Sequence, residues 1–194
     1  MKFMAKKITR KEQIVAAAAQ LFRNKGYNAT TMRDLAEQVG MEAASLYNHI
    51  KSKEEILQYL CFKISDQYIS QLNQIDQNNN SAAAKIREII RLHIRIATTD
   101  VASVHVANNE WKHLSEPFLT DFVAARRSYE KKFVSIIQSG IDRQEFVDLH
   151  PTVALFTILS AVRWIELWYK PSREVSILEL EQNIISMLMQ GLEK

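Results

Sequence analysis

The chain has one cysteine, Cys61, in 194 residues. No internal disulfide can form, which excludes the small secreted scaffolds that depend on such bridges. It is also short of backbone punctuation, with 4 glycines and 3 prolines. That scarcity argues against turn-rich sandwiches and low-complexity linkers, while the many Ala, Leu, Ile, Glu, Gln and Lys residues favour helix nearly throughout. The N-terminus carries neither the apolar run nor the small-residue cleavage site of a signal peptide. The longest apolar stretch, near residues 153–167, is interrupted by Arg163 and Glu166 and reads as too short for a bilayer. The expectation is an all-α, cytoplasmic protein with no membrane partner.

A hydrophobic content of 47% is ample for a core. The formal charge of +3 is unevenly spread. Residues 1–53 hold ten Lys/Arg against four Asp/Glu, a net +6, and residues 54–194 hold fifteen against eighteen, a net −3. A basic N-terminal segment is the footprint of a nucleic-acid-binding end, because each phosphate contact releases condensed counterions. A solvated basic face has the same composition.

Thr30 to Lys53 is the most informative stretch. Thr31 can cap a helix whose apolar positions are Met32, Leu35, Ala36 and Val39, and Gly40 can stop it by adopting a left-handed conformation. A second short helix from about Glu42 has Leu46 and Ile50 as anchors, which turns Ala43, Ala44, Ser45, Tyr47, Asn48 and His49 outward. This is the layout of a helix-turn-helix whose second helix enters a major groove. An ordinary αα-hairpin with a polar exposed face has the same spacing. A supporting helix from Arg10 to Lys25 precedes the pair, with Gly26 closing it, and residues 1–9 form a short flexible basic arm.

Downstream, Ser52 caps a long helix with Glu55 as reciprocal partner, running to about Ile75; DQNNN breaks it, and Ser81 restarts helix. The segment from Asp100 to Leu114 mixes polar and apolar residues as a ligand cavity would. Its Glu110-x-x-His113 spacing has no second copy, so a di-iron site is rejected, and no close ligand pair among His93, His105 and His113 supports a mononuclear metal. Pro117 opens a helix with an aromatic stripe ending at Gly140 and a basic cluster of Arg126, Arg127, Lys131 and Lys132. Pro151 begins a strongly apolar helix that Pro171 stops, and a final helix spans about Val175 to Leu192. These last two are apolar on several faces, which suits burial in a homodimer.

Phe22 before Lys25-Gly26-Tyr27, the Thr30-Thr31 cap, Leu35-Ala36, Val39-Gly40, Ser45 to Ile50 and the Lys51-Ser52-Lys53-Glu54 helix start resemble the DNA-binding domain of the TetR family of bacterial transcriptional regulators. Ile50 stands where that family most often has Phe. The resemblance implies that Ala43, Ala44, Ser45 and Tyr47 face the groove with Asn48 alongside, and that Thr31, Tyr47, His49 and Lys53 meet phosphates; Arg33 is a further candidate. The later ARRSYEKKF pattern and the Trp164 to Pro171 segment resemble, more weakly, the branch that senses acyl-CoA compounds. Effector-binding candidates are His93, His105, Asn109, Phe122, Arg126, Tyr129 and Trp164.

The expectation is therefore an N-terminal three-helix domain over 10–53 and a larger helical effector-binding and dimerisation domain over 54–194, with about nine helices in all. The partners expected are palindromic operator DNA, a second copy through the last two helices, and a small hydrophobic effector such as an acyl-CoA. No catalytic residue, metal or cofactor is expected. A helical-bundle enzyme would need a nucleophile–base pair or a full metal-ligand set, neither of which is present in the sequence. An effector-free nucleic-acid-binding scaffold is the other alternative.

Overall fold

The computed structural model describes residues 9–170 and 175–194. Most of the arm expected over 1–9, and the stop expected at Pro171, lie outside the described residues. The described residues form α1 (Arg10–Lys25), α2 (Met32–Gln38), α3 (Ala43–Leu46), α4 (Lys53–Gln77), α5 (Ala82–Thr99), α6 (Val101–Asn109), a 3-10 turn (Trp111–His113), α7 (Phe118–Asp142), α8 (Pro151–Arg163), α9 (Ile165–Trp168) and α10 (Ile177–Gln190). The all-α expectation holds. By packing, the chain divides into two units: one runs to Ile64 and includes Ala102–Phe122, and the other comprises Ser65–Val101 and Val123–Lys194.

The core of the first unit gathers Ile14, Ala18 and Phe22 of α1, Leu35 and Ala36 of α2, Leu46, Ile50, and Ile56, Leu57 and Leu60 of α4. It is completed from far along the chain by Ala102, Val106, Leu114 and Phe122. Burying a large apolar side chain such as Phe22 contributes about 2–3 kcal/mol. The short helices therefore depend on this shared core more than on their own backbone bonds. Thr9 starts α1 with a capping box: its hydroxyl accepts from Glu12 N–H, and the Glu12 carboxylate accepts from Thr9 N–H at 2.7 Å. Thr9, expected in the basic arm, is thus the cap of α1.

In the second unit, α5 is the central element, packed against α8, α9 and α10. It buries Ile86, Ile89, Ile90, Leu92, Ile94, Ile96 and Ala97. The Ser81 cap is present, its hydroxyl accepting from Ala84 N–H at 3.2 Å. Two helix boundaries differ from expectation. Gly140 does not end α7, which continues to Asp142; its missing side chain instead admits the buried Phe146 ring and Ala82. The apolar helix after Pro151 is interrupted at Trp164, whose two flanking helices are α8 and α9. The stretch Pro151–Trp168, read from sequence as too short for a bilayer, has the length and a mean hydropathy of 1.2 that would suffice for a span. Its face toward α5 is spent on packing: Ala154, Leu155, Ile158, Val162, Ile165 and Glu166 are buried.

Candidate nucleic-acid and effector sites

The turn between α2 and α3 is built by hydrogen bonds that require Gly40. Gly40 has φ +63°. Its N–H donates to Glu37 C=O at 3.1 Å and Met41 N–H donates to Ala36 C=O at 2.9 Å, the paired bonds of a Schellman stop. At the other end of α2, Thr31 accepts from Asp34 N–H at 3.1 Å, and its own N–H donates to the Asp34 carboxylate at 2.8 Å. The Thr31 hydroxyl and backbone, then Lys25, hold the Asp34 carboxyl down at about 2.

Beyond the turn the chain is helical only from Ala43 to Leu46, shorter than the sequence pattern suggested, and continues as turns to His49. The face is nevertheless the expected one. Leu46 and Ile50 are buried, while Ala43, Ala44, Ser45, Asn48 and His49 are exposed and Tyr47 is 52% exposed. Thr31 and Arg33 are exposed as well. Such a surface has small side chains at its tip and hydroxyl, amide and imidazole groups around it, which suits close approach to a polyanion groove.

Lys53 is placed differently from its neighbours on the predicted DNA-contacting set. Its Nζ donates to Tyr27 C=O at 2.7 Å and to Thr30 C=O at 2.8 Å, with Asn28 C=O at 3.5 Å. It also lies 4.3 Å from the centre of the Tyr27 ring. The ammonium thus ties the start of α4 to the loop that delivers Thr31. Tyr27 stacks on His113, centroids 5.5 Å apart at 19°, and meets Phe22 edge-on at 5.2 Å. His113 in turn lies 3.4 Å from Glu110. The pair singled out for its Glu-x-x-His spacing is thus engaged locally, against the same loop.

Ser52 caps α4, accepting from Glu55 N–H at 3.1 Å. The Glu55 carboxylate accepts from Lys51 N–H at 2.8 Å, one residue before the expected reciprocal partner, and pairs with Lys11 at 2.8 Å. Glu54 is held by Ser115, whose hydroxyl hydrogen bond lowers its pKa. Cys61 is buried, and desolvation with the nearby Glu110 charge pushes its thiol up to about 12.

The effector candidates fall into both packing units. In the first, Asn109 Nδ2 donates to His105 C=O at 2.9 Å, and Phe122 joins Phe62 and Trp111 in an aromatic cluster. Burial, and then the Arg23 charge, lowers the His105 pKa. In the second, His93 and Tyr129 come together: Nε2 and Oη are 2.7 Å apart. Tyr68, which the sequence pattern marked only as part of an apolar helix face, stacks on His93 at 4.3 Å and 22°. Desolvation takes His93 down to about 3 and raises both tyrosines, with Glu166 raising Tyr68 further. Arg126 is half-buried and Trp164 is 62% exposed. Of the basic cluster, Lys132 binds Asn73 at 2.7 Å and lies 3.6 Å from Asp76, while Arg127 and Lys131 are exposed. Periodicity assigns Tyr68 to a buried face without distinguishing a packing ring from a polar one, and His93, on another helix, is brought to it only by the fold.

Two family models cover most of the chain: bacterial regulatory proteins of the tetR family at residues 14–60, and the tetracyclin repressor-like C-terminal domain at residues 79–192. The fold and the exposed α3 face define a helix-turn-helix regulator, and the chain belongs to the TetR family. It is 26% identical over 186 residues to the HTH-type transcriptional repressor KstR2 of Mycolicibacterium smegmatis, covering 95% of this chain and 91% of that one. The structure of the ketosteroid transcriptional regulator KstR2 of Mycobacterium tuberculosis is similar with a TM-score of 0.90 at 23% identity, covering 96% of each chain. AibR, solved in complex with isovaleryl coenzyme A and operator DNA, is similar with a TM-score of 0.81 at 24% identity, covering 92% of this chain and 97% of that one.

Proposed function

We propose that the protein is a homodimeric, ligand-responsive transcriptional repressor rather than an enzyme, acting in the cytoplasm and released from a palindromic operator by a small hydrophobic effector. The observation that carries this reading is the α3 face: Ala43, Ala44, Ser45, Tyr47, Asn48 and His49 are all exposed over a buried Leu46–Ile50 anchor. In this reading residues 10–53 read DNA, preceded by the basic arm 1–9, and residues 54–194 bind effector and pair the subunits. Thr31, Arg33, Tyr47 and His49 serve phosphate contacts, and the alanines restrict direct base reading to methyl contacts. Lys53 serves the same surface chiefly by bracing its loop.

Dimerisation through α8 and α10 is supported by the apolar residues they leave uncovered, among them Val153, Phe156, Leu178 and Met187, the last 75% exposed. Paired recognition helices then meet two half-sites about one DNA turn apart. An acyl-CoA is the effector class favoured by the exposed Arg127 and Lys131 beside an apolar domain and by AibR, which binds isovaleryl coenzyme A. Release follows if the effector binds better to a dimer geometry whose recognition helices no longer fit the operator. A mobility shift on promoter DNA next to its own gene, with and without isovaleryl coenzyme A and longer acyl-CoAs, tests the reading. Salt-dependent binding by the dimer, lost on adding an acyl-CoA, is expected; salt-insensitive or absent binding overturns it.

A further inference from the structure

The group formed by Tyr68 of α4, His93 of α5 and Tyr129 of α7 is more polar than the packing of its unit requires. Three helices converge there on three rings: Tyr68 stacks on His93, Tyr129 meets Tyr68 edge-on at 6.1 Å and His93 at 5.9 Å, and Phe133 closes the far side at 6.2 Å from Tyr129. Only one hydrogen bond joins them, between His93 Nε2 and Tyr129 Oη. Tyr68 Oη and His93 Nδ1 therefore meet no hydrogen-bond partner among the described residues, although each has a donor or acceptor to satisfy. Both residues keep some accessible surface.

We infer that this group is a recognition point for an uncharged oxygen function, a carbonyl or hydroxyl, on the apolar part of the effector; the inference rests on the regulatory reading above and specifies its ligand. Tyr68 Oη–H donates to the ligand oxygen. Neutral His93 has one donor and one acceptor nitrogen, so the role of Nδ1 is set by which partner of the Nε2–Tyr129 hydrogen bond carries the proton. With Nδ1 as donor the pair clamps a carbonyl, and with Nδ1 as acceptor it takes the hydrogen of a hydroxyl. A carboxylate is disfavoured because Glu166, 4% exposed, places acidic charge beside Tyr68.

The test uses the full chain and three matched probes, 2-decanone, 1-decanol and decanoate, with binding measured by calorimetry in the absence of DNA. Wild-type protein is expected to bind the ketone or the alcohol more tightly than decanoate at neutral pH. Tyr68→Phe, which keeps the ring stack and removes the hydroxyl, should weaken the uncharged probe about fivefold to tenfold, with an unchanged melting temperature and no effect on decanoate. Preference for decanoate, equal binding by Tyr68→Phe, or no binding of either uncharged probe each overturns the inference. DNA binding is measured separately, so a wild-type protein that fails to bind promoter DNA counts against the regulatory reading instead.

Discussion

Replacing Lys53 by methionine separates two roles that the same residue could have at a DNA-binding head. Methionine keeps most of the aliphatic stem and removes the ammonium, which donates to Tyr27 and Thr30 carbonyls at 2.7 and 2.8 Å and sits 4.3 Å from the Tyr27 ring centre. A hydrogen bond from a charged donor contributes about 1.5–3 kcal/mol net, and a half-buried cation–π contact about 0.5–2 kcal/mol. Water can reach part of the site, which lowers the sum, so the expected loss is about 2–4 kcal/mol in the stability of the first unit. Amide exchange at residues 28–31 should accelerate in the free protein, and thermal unfolding should shift downward. Operator affinity should fall because the Thr31 loop loosens, while the slope of log affinity against log salt changes little. A residue acting only by touching a phosphate behaves oppositely: the free protein keeps its stability, and the salt slope falls by about 0.9. Lys53→Arg sharpens the contrast, since it retains the charge but cannot place a compact ammonium on two carbonyls. Wild-type stability and exchange in Lys53→Met would refute the bracing role.

Four further outcomes are expected. Tyr47→Ala should weaken operator binding about fivefold to tenfold by mobility shift, with an unchanged thermal midpoint, because its ring is half-exposed. The Asp34 carboxyl is lowered from 3.8 to about 2 in the folded state, so its stabilising effect is complete above the unfolded value and is lost as pH falls through that window; circular dichroism of Asp34→Asn should lack this component of the acid limb. Gly140→Ala forces a methyl against the Phe146 ring and to 2.9 Å from Ala82, an overpacking that should cost about 1–3 kcal/mol by scanning calorimetry. Glutamates at Phe156 and Leu178 together should halve the sedimenting mass if α8 and α10 form the subunit interface; an unchanged mass would move that interface elsewhere.

The exposed and buried sides of the α3 region were legible because two anchors, Leu46 and Ile50, settle the orientation of all six residues between and before them. Gly40 and Ser81 were legible because their conformational demands are local. Helix length there was not, since Tyr47 to His49 satisfy the same burial pattern in turns. The interruption at Trp164 left no mark in periodicity, as apolar residues continue on both sides of it. Lys53 illustrates a different limit: family resemblance assigns it to phosphate, and its additional contacts with carbonyls 23 to 26 residues earlier in the chain were not legible, because backbone acceptors carry no sequence signature. Tyr68 was hidden for a related reason, because a helical period records burial but not what a hydroxyl finds there.

The core around Phe22 and Leu46 receives Ala102, Val106, Leu114 and Phe122 from the distant segment. A head cut out at residue 53 would expose the sites these residues fill and should aggregate when produced alone. Exchange of DNA-reading heads between relatives therefore requires a graft in two pieces. During synthesis the head cannot complete its core until Phe122 has left the ribosome, so it finishes folding only after segments that are encoded well behind it.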